Sequence, residues 1–134
     1  MGIQNQSREA YRLARHYIQK GLIGKISKVY VWSFKTWGYD GEPFKEKSEI
    51  PDTLDWNLWL GTAPVHNYVS KVYHHGQWRK LIDFGCGTLG DMGIHIFDTP
   101  FKALDLKDPK WVEAECREPN GFGHAEKNKV HYGF

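Results

Sequence analysis

Asp91, His95 and Asp98 follow one another at intervals of four and three residues, in a stretch that runs from Asp83 to Leu104 as DFGCGTLGDMGIHIFDTPFKAL. In a helix that spacing puts all three on one stripe, because residues three and four apart are neighbours on the surface. A carboxylate one turn from an imidazole can fix the ring and stabilise its protonated form, which suits Asp91 and His95 to general acid–base work near neutral pH. The same spacing also fits a helix whose histidine is merely solvated or satisfied in the core.

Gly85, Gly87 and Gly90 spell G-x-G-x-x-G just ahead of that helix. A dinucleotide fingerprint needs a pyrophosphate on the helix N-terminus after a buried strand. Here Asp91 follows the third glycine and would repel phosphate, and Leu81–Phe84 is too short and polar for the strand. The glycines are read instead as points where the backbone comes close to another element or to a ligand.

A second group of chemistry-bearing residues lies upstream, between Val65 and Arg79. Tyr73, His74, Trp78 and Arg79 bring aromatic, imidazole and guanidinium groups together, as the lining of a sugar pocket would. Packing of an ordinary loop is the competing reading. His74 and His75 raise the question of a metal, but neighbours on an extended segment point to opposite sides and make poor co-ligands, so no metal site is expected.

The elements that must hold these groups can be read from the pattern. Ser7 is a candidate N-cap for a helix over residues 8–20, with Ala10, Tyr11, Ala14, Tyr17 and Ile18 as its apolar stripe and Gly21 as its stop. KISKVYVWSFKTW, residues 25–37, is the strongest strand pattern; apolar side chains on both faces place it inside a sheet. Residues 38–53 read as a long loop. Residues 52–61 predict a short helix packing Leu54, Trp56, Leu58, Trp59 and Leu60. Pro100 must kink or restart the helix of His95, with Thr99 and Pro100 as cap and first turn. Strands are expected from Trp111 to Arg117 and from Val130 onward, the last looking unfinished, as in a fragment of a longer protein.

Composition narrows the function classes. The 134 residues carry 18 basic and 16 acidic side chains, well mixed, for a net charge of +2. That balance gives no basic stripe for nucleic acid. No apolar run reaches membrane length and no secretory signal opens the chain, so no membrane partner is expected. Two cysteines do not make a disulfide scaffold, and a reducing cytoplasm is the default. Six Trp and seven Tyr are a dense aromatic complement, read as ligand platforms or as packing and interface groups.

Gly21-Leu22-Ile23-Gly24-Lys25-Ile26, the run from Leu54-Asp55-Trp56 through Leu60-Gly61-Thr62-Ala63-Pro64, Trp78-Arg79, and Gly90-Asp91-Met92-Gly93-Ile94-His95-Ile96-Phe97-Asp98 come in order. Together they resemble the C-terminal domain of the glucose-fructose oxidoreductase and inositol dehydrogenase family, Gfo/Idh/MocA. The resemblance implies an α+β fold, with an open, mostly antiparallel sheet covered by helices on one face and free for subunit pairing on the other. It implies a single substrate-binding and dimerisation domain over residues 1–134, with His95 and Asp91 as catalytic pair and Trp78, Arg79, Tyr73, His74 and Asp98 at the substrate. Its substrate would be a sugar or polyol, its assembly a homo-oligomer, and its cofactor NAD(P), which the family holds in a Rossmann domain that this sequence does not contain. The family's Glu-Lys-Pro lysine is missing with it; Glu46-Lys47-Ser48 lacks the proline. This chain is therefore expected to bind no cofactor alone and to be inactive without the nucleotide-binding domain. A carbohydrate-binding scaffold and part of an NAD-dependent glycosidase are the alternatives.

Overall fold

The computed structural model describes residues 3–134. They form an α+β chain with helices α1 (Glu9–Gln19), α2 (Trp56–Leu60), α3 (Gly87–Ile96) and α4 (Asp98–Ala103), and strands β1 (Trp111–Cys116) and β2 (Asn128–Gly133). Short 3-10 turns occupy Gln4–Ser7 and Gln77–Lys80. The described residues divide into two compact units: the first takes residues 3–35, 92–115 and 128–134, the second 36–91 and 116–127. The division falls inside α3, between Asp91 and Met92.

In the first unit α1 packs on α4. Ser7 ends the 3-10 turn instead of capping α1; Arg8 takes the cap position and no side chain fills it, because Gln4–Ser7 already supplies a preceding helical turn. The end of α1 is closed by Gly21 and Leu22, whose N–H groups donate to Ile18 and Tyr17. Pro100 has no N–H for the carbonyl of Ile96, so α3 stops there and α4 restarts, with Phe97 and not Thr99 at the cap position. β1 and β2 pair with each other as an antiparallel ribbon. Lys110 donates to Gly133 at one end, and at the other Lys129 reaches Glu115.

The strand expected over residues 25–37 does not form. Residues 24–40 take no helix or strand, and Val29, Tyr30, Trp32 and Phe34 are exposed. Alternation makes a segment competent to pair, but a strand exists only against a partner edge. Among the described residues the only sheet is β1 with β2.

The second unit is held by an aromatic core. Trp56, Leu60, Val69, Tyr73 and Leu81 are buried, with Phe44, Trp59, Tyr68, Phe84 and Phe122 packed around them. Trp56 and Trp59 stack at 4.8 Å, and Tyr73 meets Phe84 edge-on at 5.7 Å. The Asp55 side chain caps α2 by accepting from the Leu58 N–H at 2.9 Å. Leu58 itself is 77% exposed, which corrects its expected place in the core. Two residues beyond Trp56, it falls on the opposite side of the helix.

Two glycines let segments of this unit meet. A side chain at Gly85 would stand 2.5 Å from the Arg79 carbonyl oxygen, and one at Gly87 would stand 2.7 Å from the His124 Cβ. The steric reading of these glycines thus describes what they do. Arg117 ties the same region together, donating to the Asp40 carboxylate and to the carbonyls of Tyr39 and Gly123.

Candidate functional site

Arg79 and Asp91 meet in the second unit. The 3-10 turn Gln77–Lys80 presents Arg79 and the first turns of α3 present Asp91, so that Arg79 Nε donates to Asp91 Oδ1 at 3.0 Å. The guanidinium lies 4.5 Å from the Trp78 ring centre and 5.3 Å from that of Trp37. Two indole faces therefore hold a cation whose fork is already aimed. Both partners of the ion pair are half-buried, where an arginine–carboxylate bond is less screened than on an open surface. Trp37 is fixed to the start of α3, donating its backbone N–H to Thr88 Oγ1 at 2.9 Å and accepting the Thr88 N–H at 3.1 Å.

Further along the same helix, in the first unit, stands His95. Its Nδ1 is buried and has no hydrogen-bond partner among the described residues. Asp91 and His95 thus keep their four-residue spacing on one helix, but the Asp91 carboxylate is bonded to Arg79. Asp98 opens α4 as a buried carboxylate that accepts from the Gln6 side chain.

The remaining candidates lie elsewhere. Tyr73 is 2% exposed and belongs to the core; its hydroxyl donates to the Asn67 carbonyl at 3.3 Å. Burial, and secondarily the charge of Asp83, push its phenol above the usual value. His74 is exposed, with its ring centre 3.7 Å from that of His75. These two lie in a turn, so the alternation expected of an extended segment does not separate them. No group of three potential ligands gathers around a common point among the described residues.

Sequence reasoning misses two participants. Trp37 reads as part of a strand face, and its partnership with Arg79 is a tertiary contact that no local spacing announces. His66, in the run between Val65 and Arg79, has its Nε2 2.8 Å from Asp83 Oδ2, and its carbonyl accepts the Trp56 indole N–H at 2.8 Å.

The glycine stretch does not fit a dinucleotide. The spaces beside Gly85 and Gly87 are filled by Arg79 and His124, and the Thr88 N–H at the helix start is spent on Trp37. A pyrophosphate needs both open.

The fold is α+β, and α3 carries an acid and a histidine one turn apart behind a run of glycines. The sequence matches the oxidoreductase family C-terminal alpha/beta domain over residues 10–132, and the chain belongs to that family, the Gfo/Idh/MocA oxidoreductases. No curated protein matches it. None of its helices is long and apolar enough to cross a membrane among the described residues.

Proposed function

We propose that this chain is the substrate-binding and subunit-pairing part of an NAD(P)-dependent sugar or polyol oxidoreductase. The observation that carries the reading is on α3: a histidine with an unpartnered buried ring nitrogen, one turn from a carboxylate that an arginine holds in place. A neutral imidazole has one donor and one acceptor nitrogen, so His95 can pass on a hydroxyl proton once a substrate reaches its ring. His95 then exchanges the hydroxyl proton. Asp91, held by Arg79, accepts a hydrogen bond from a second hydroxyl, and the exposed parts of Trp78 and Arg79 border the sugar.

The family's cofactor supplies hydride acceptance, and no residue of this chain is proposed to hold it. Redox turnover would need a nucleotide-binding domain supplied from outside these 134 residues. Both cysteines are free and exposed, which suits a reducing cytoplasm. Subunit pairing is proposed through the ribbon, where Trp111 and Val112 of β1 are exposed.

Calorimetry of the chain with a panel of sugars and polyols tests the proposal. We expect millimolar binding to at least one of them, about tenfold weaker in His95→Ala and in Asp91→Asn, with sedimentation reporting a dimer. Equal affinity in the wild type and both variants would remove the assigned roles. A monomer throughout the micromolar range would remove the pairing.

A further inference from the structure

In the first unit, two hollows adjoin along α1 and α4. The larger is an open bowl of about 550 Å³ with Phe101 and Leu106 as its apolar floor. The smaller is a crevice of about 50 Å³ lined by Tyr11, Arg12 and Thr99. Arg15 and Lys102 line both. A water takes about 30 Å³ of liquid, so the crevice suits one compact group and the bowl the body attached to it.

The charges there do not cancel. Arg12 and Arg15, on one stripe of α1, enter none of the ion pairs among the described residues. Lys102 donates to Gln6 Oε1, a neutral acceptor, and Gln6 in turn donates to Asp98. At the bowl, Asp105 is neutralised by Lys107 at 2.7 Å. Arg15 and Lys102 thus face the shared sill and Arg12 the crevice, against Asp98 in the crevice and Asp108 at the bowl. A different kind of observation marks the same place: Thr99 lines the crevice, and its Oγ1 is buried with no hydrogen-bond partner among the described residues. A buried hydroxyl left unsatisfied is unfavourable, and a polar occupant of the crevice toward which the Thr99 hydroxyl turns would relieve that cost.

We propose that these hollows form a binding site for a small phosphate monoester, built from residues other than Arg79 and Asp91. A carboxylate needs only one guanidinium, whereas a phosphate dianion has the charge and the acceptor oxygens to use Arg12, Arg15, Lys102 and the Thr99 hydroxyl together. Its organic body would lie on Phe101 and Leu106, with the Asp108 carboxylate within the same bowl to receive hydroxyls.

Isothermal titration of the full chain with phenyl phosphate, inorganic phosphate and phenol at low salt tests this. Phenyl phosphate carries no sugar, so it leaves the proposed sugar site out of the measurement. We expect saturable binding of phenyl phosphate, several-fold weaker binding of inorganic phosphate, none of phenol, and loss of affinity as sodium chloride is added. Arg15→Ala and Thr99→Val should each weaken phenyl phosphate about tenfold, the loss of one charge-assisted or buried bond. His95→Ala should leave it unchanged, so failure here and failure of the sugar reading are separable. Arg15 is exposed on a helix, so its variant is expected to keep the wild-type circular dichroism, and Lys102→Gln provides a second reading. No saturable heat, inorganic phosphate as tight as phenyl phosphate, or wild-type affinity in both Arg15→Ala and Lys102→Gln would overturn the proposal.

Discussion

The two units of this chain divide regularity and burial between them. The first holds α1, α4, β2 and all of β1 but Cys116, yet of its described residues only Asp98 and Ala103 are buried. The second has one short whole helix and long irregular stretches, yet it owns the aromatic core. Backbone hydrogen bonds make elements, but each adds little beyond what water already offers, whereas removing apolar surface from water contributes more. The second unit should therefore be the stable one, despite its irregular appearance, and the first should open at lower cost.

The strongest test of that contrast lies in the core. Leu81 is 1% exposed and Tyr73 2%. Leu81→Ala and Tyr73→Ala are expected to cost about 3–5 kcal/mol each, from lost transfer energy plus the cavity left behind. Urea denaturation followed by tryptophan fluorescence would measure this, since Trp56 and Trp59 sit in the same core. In the first unit, Leu13→Ala removes a side chain that is already 43% exposed and should cost about 1 kcal/mol or less. Equal losses in the two units would break the comparison.

Glycine substitutions sharpen it along a single helix and its approach. An alanine at Gly85 would meet Arg79 backbone at 2.5 Å, and backbone cannot swing aside as a side-chain end can. We expect Gly85→Ala to cost about 1–3 kcal/mol and to disturb the Arg79–Asp91 pair. Gly93, within α3, has nothing within 4 Å of the added methyl. Gly93→Ala should instead stabilise by about 0.5–1 kcal/mol through helix propensity. Thermal unfolding of the two variants side by side is the measurement, and a gain at Gly85 would contradict the close approach.

What is legible in the sequence depends on how local each signal is. The break at Pro100, the strands near Trp111 and Val130, and the α1 helix stopping before Gly21 rest on neighbours in the chain, and all appear, although Ala10 and Tyr17 of the α1 stripe stay exposed. Segment 25–37 misleads because alternation states a preference for pairing and cannot supply the second edge. The Tyr73 and His74 cluster looks like a lining because composition does not say which way a ring turns; tertiary packing takes Tyr73 inward and leaves His74 in water. At the site, the Asp91–His95 spacing is visible in the sequence, whereas Arg79 as the partner of Asp91 needs a separation of 12 residues to fold back. Acid–base pairs on a helix are local facts, and who neutralises them is not.

Acid response offers a finer probe of the second unit. The Arg117 N–H hydrogen-bonded to Asp40, then the Glu126 backbone N–H, hold the Asp40 carboxyl below its ordinary value of 3.8. A lowered folded value means the contribution is present above that ordinary value and is lost as pH falls through the folded one. Between about pH 5 and pH 2 the wild type should therefore lose stability more steeply than Asp40→Asn, in denaturant titrations at each pH. Glu115 in the first unit is lowered likewise, first by Lys129 and then by His131, but on an exposed ribbon. Salt should erase the Glu115 contribution sooner than that of Asp40, whose arginine also holds the Tyr39 and Gly123 carbonyls.

The smallest expected effect is the one that best isolates pairing from packing. Phe34 is 90% exposed, so in the isolated chain its ring contributes almost no burial, and Phe34→Ser should change unfolding free energy by no more than about 0.5 kcal/mol. The ring is nevertheless part of an alternating apolar segment with Tyr30 and Trp32. Such a segment, exposed and unpaired, is a template for association between copies. Self-association followed by light scattering should therefore fall in Phe34→Ser while the unfolding curve stays in place. A destabilised variant would mean that residues 25–37 are packed in solution after all, and the first unit would then hold a buried surface that its exposed aromatics deny.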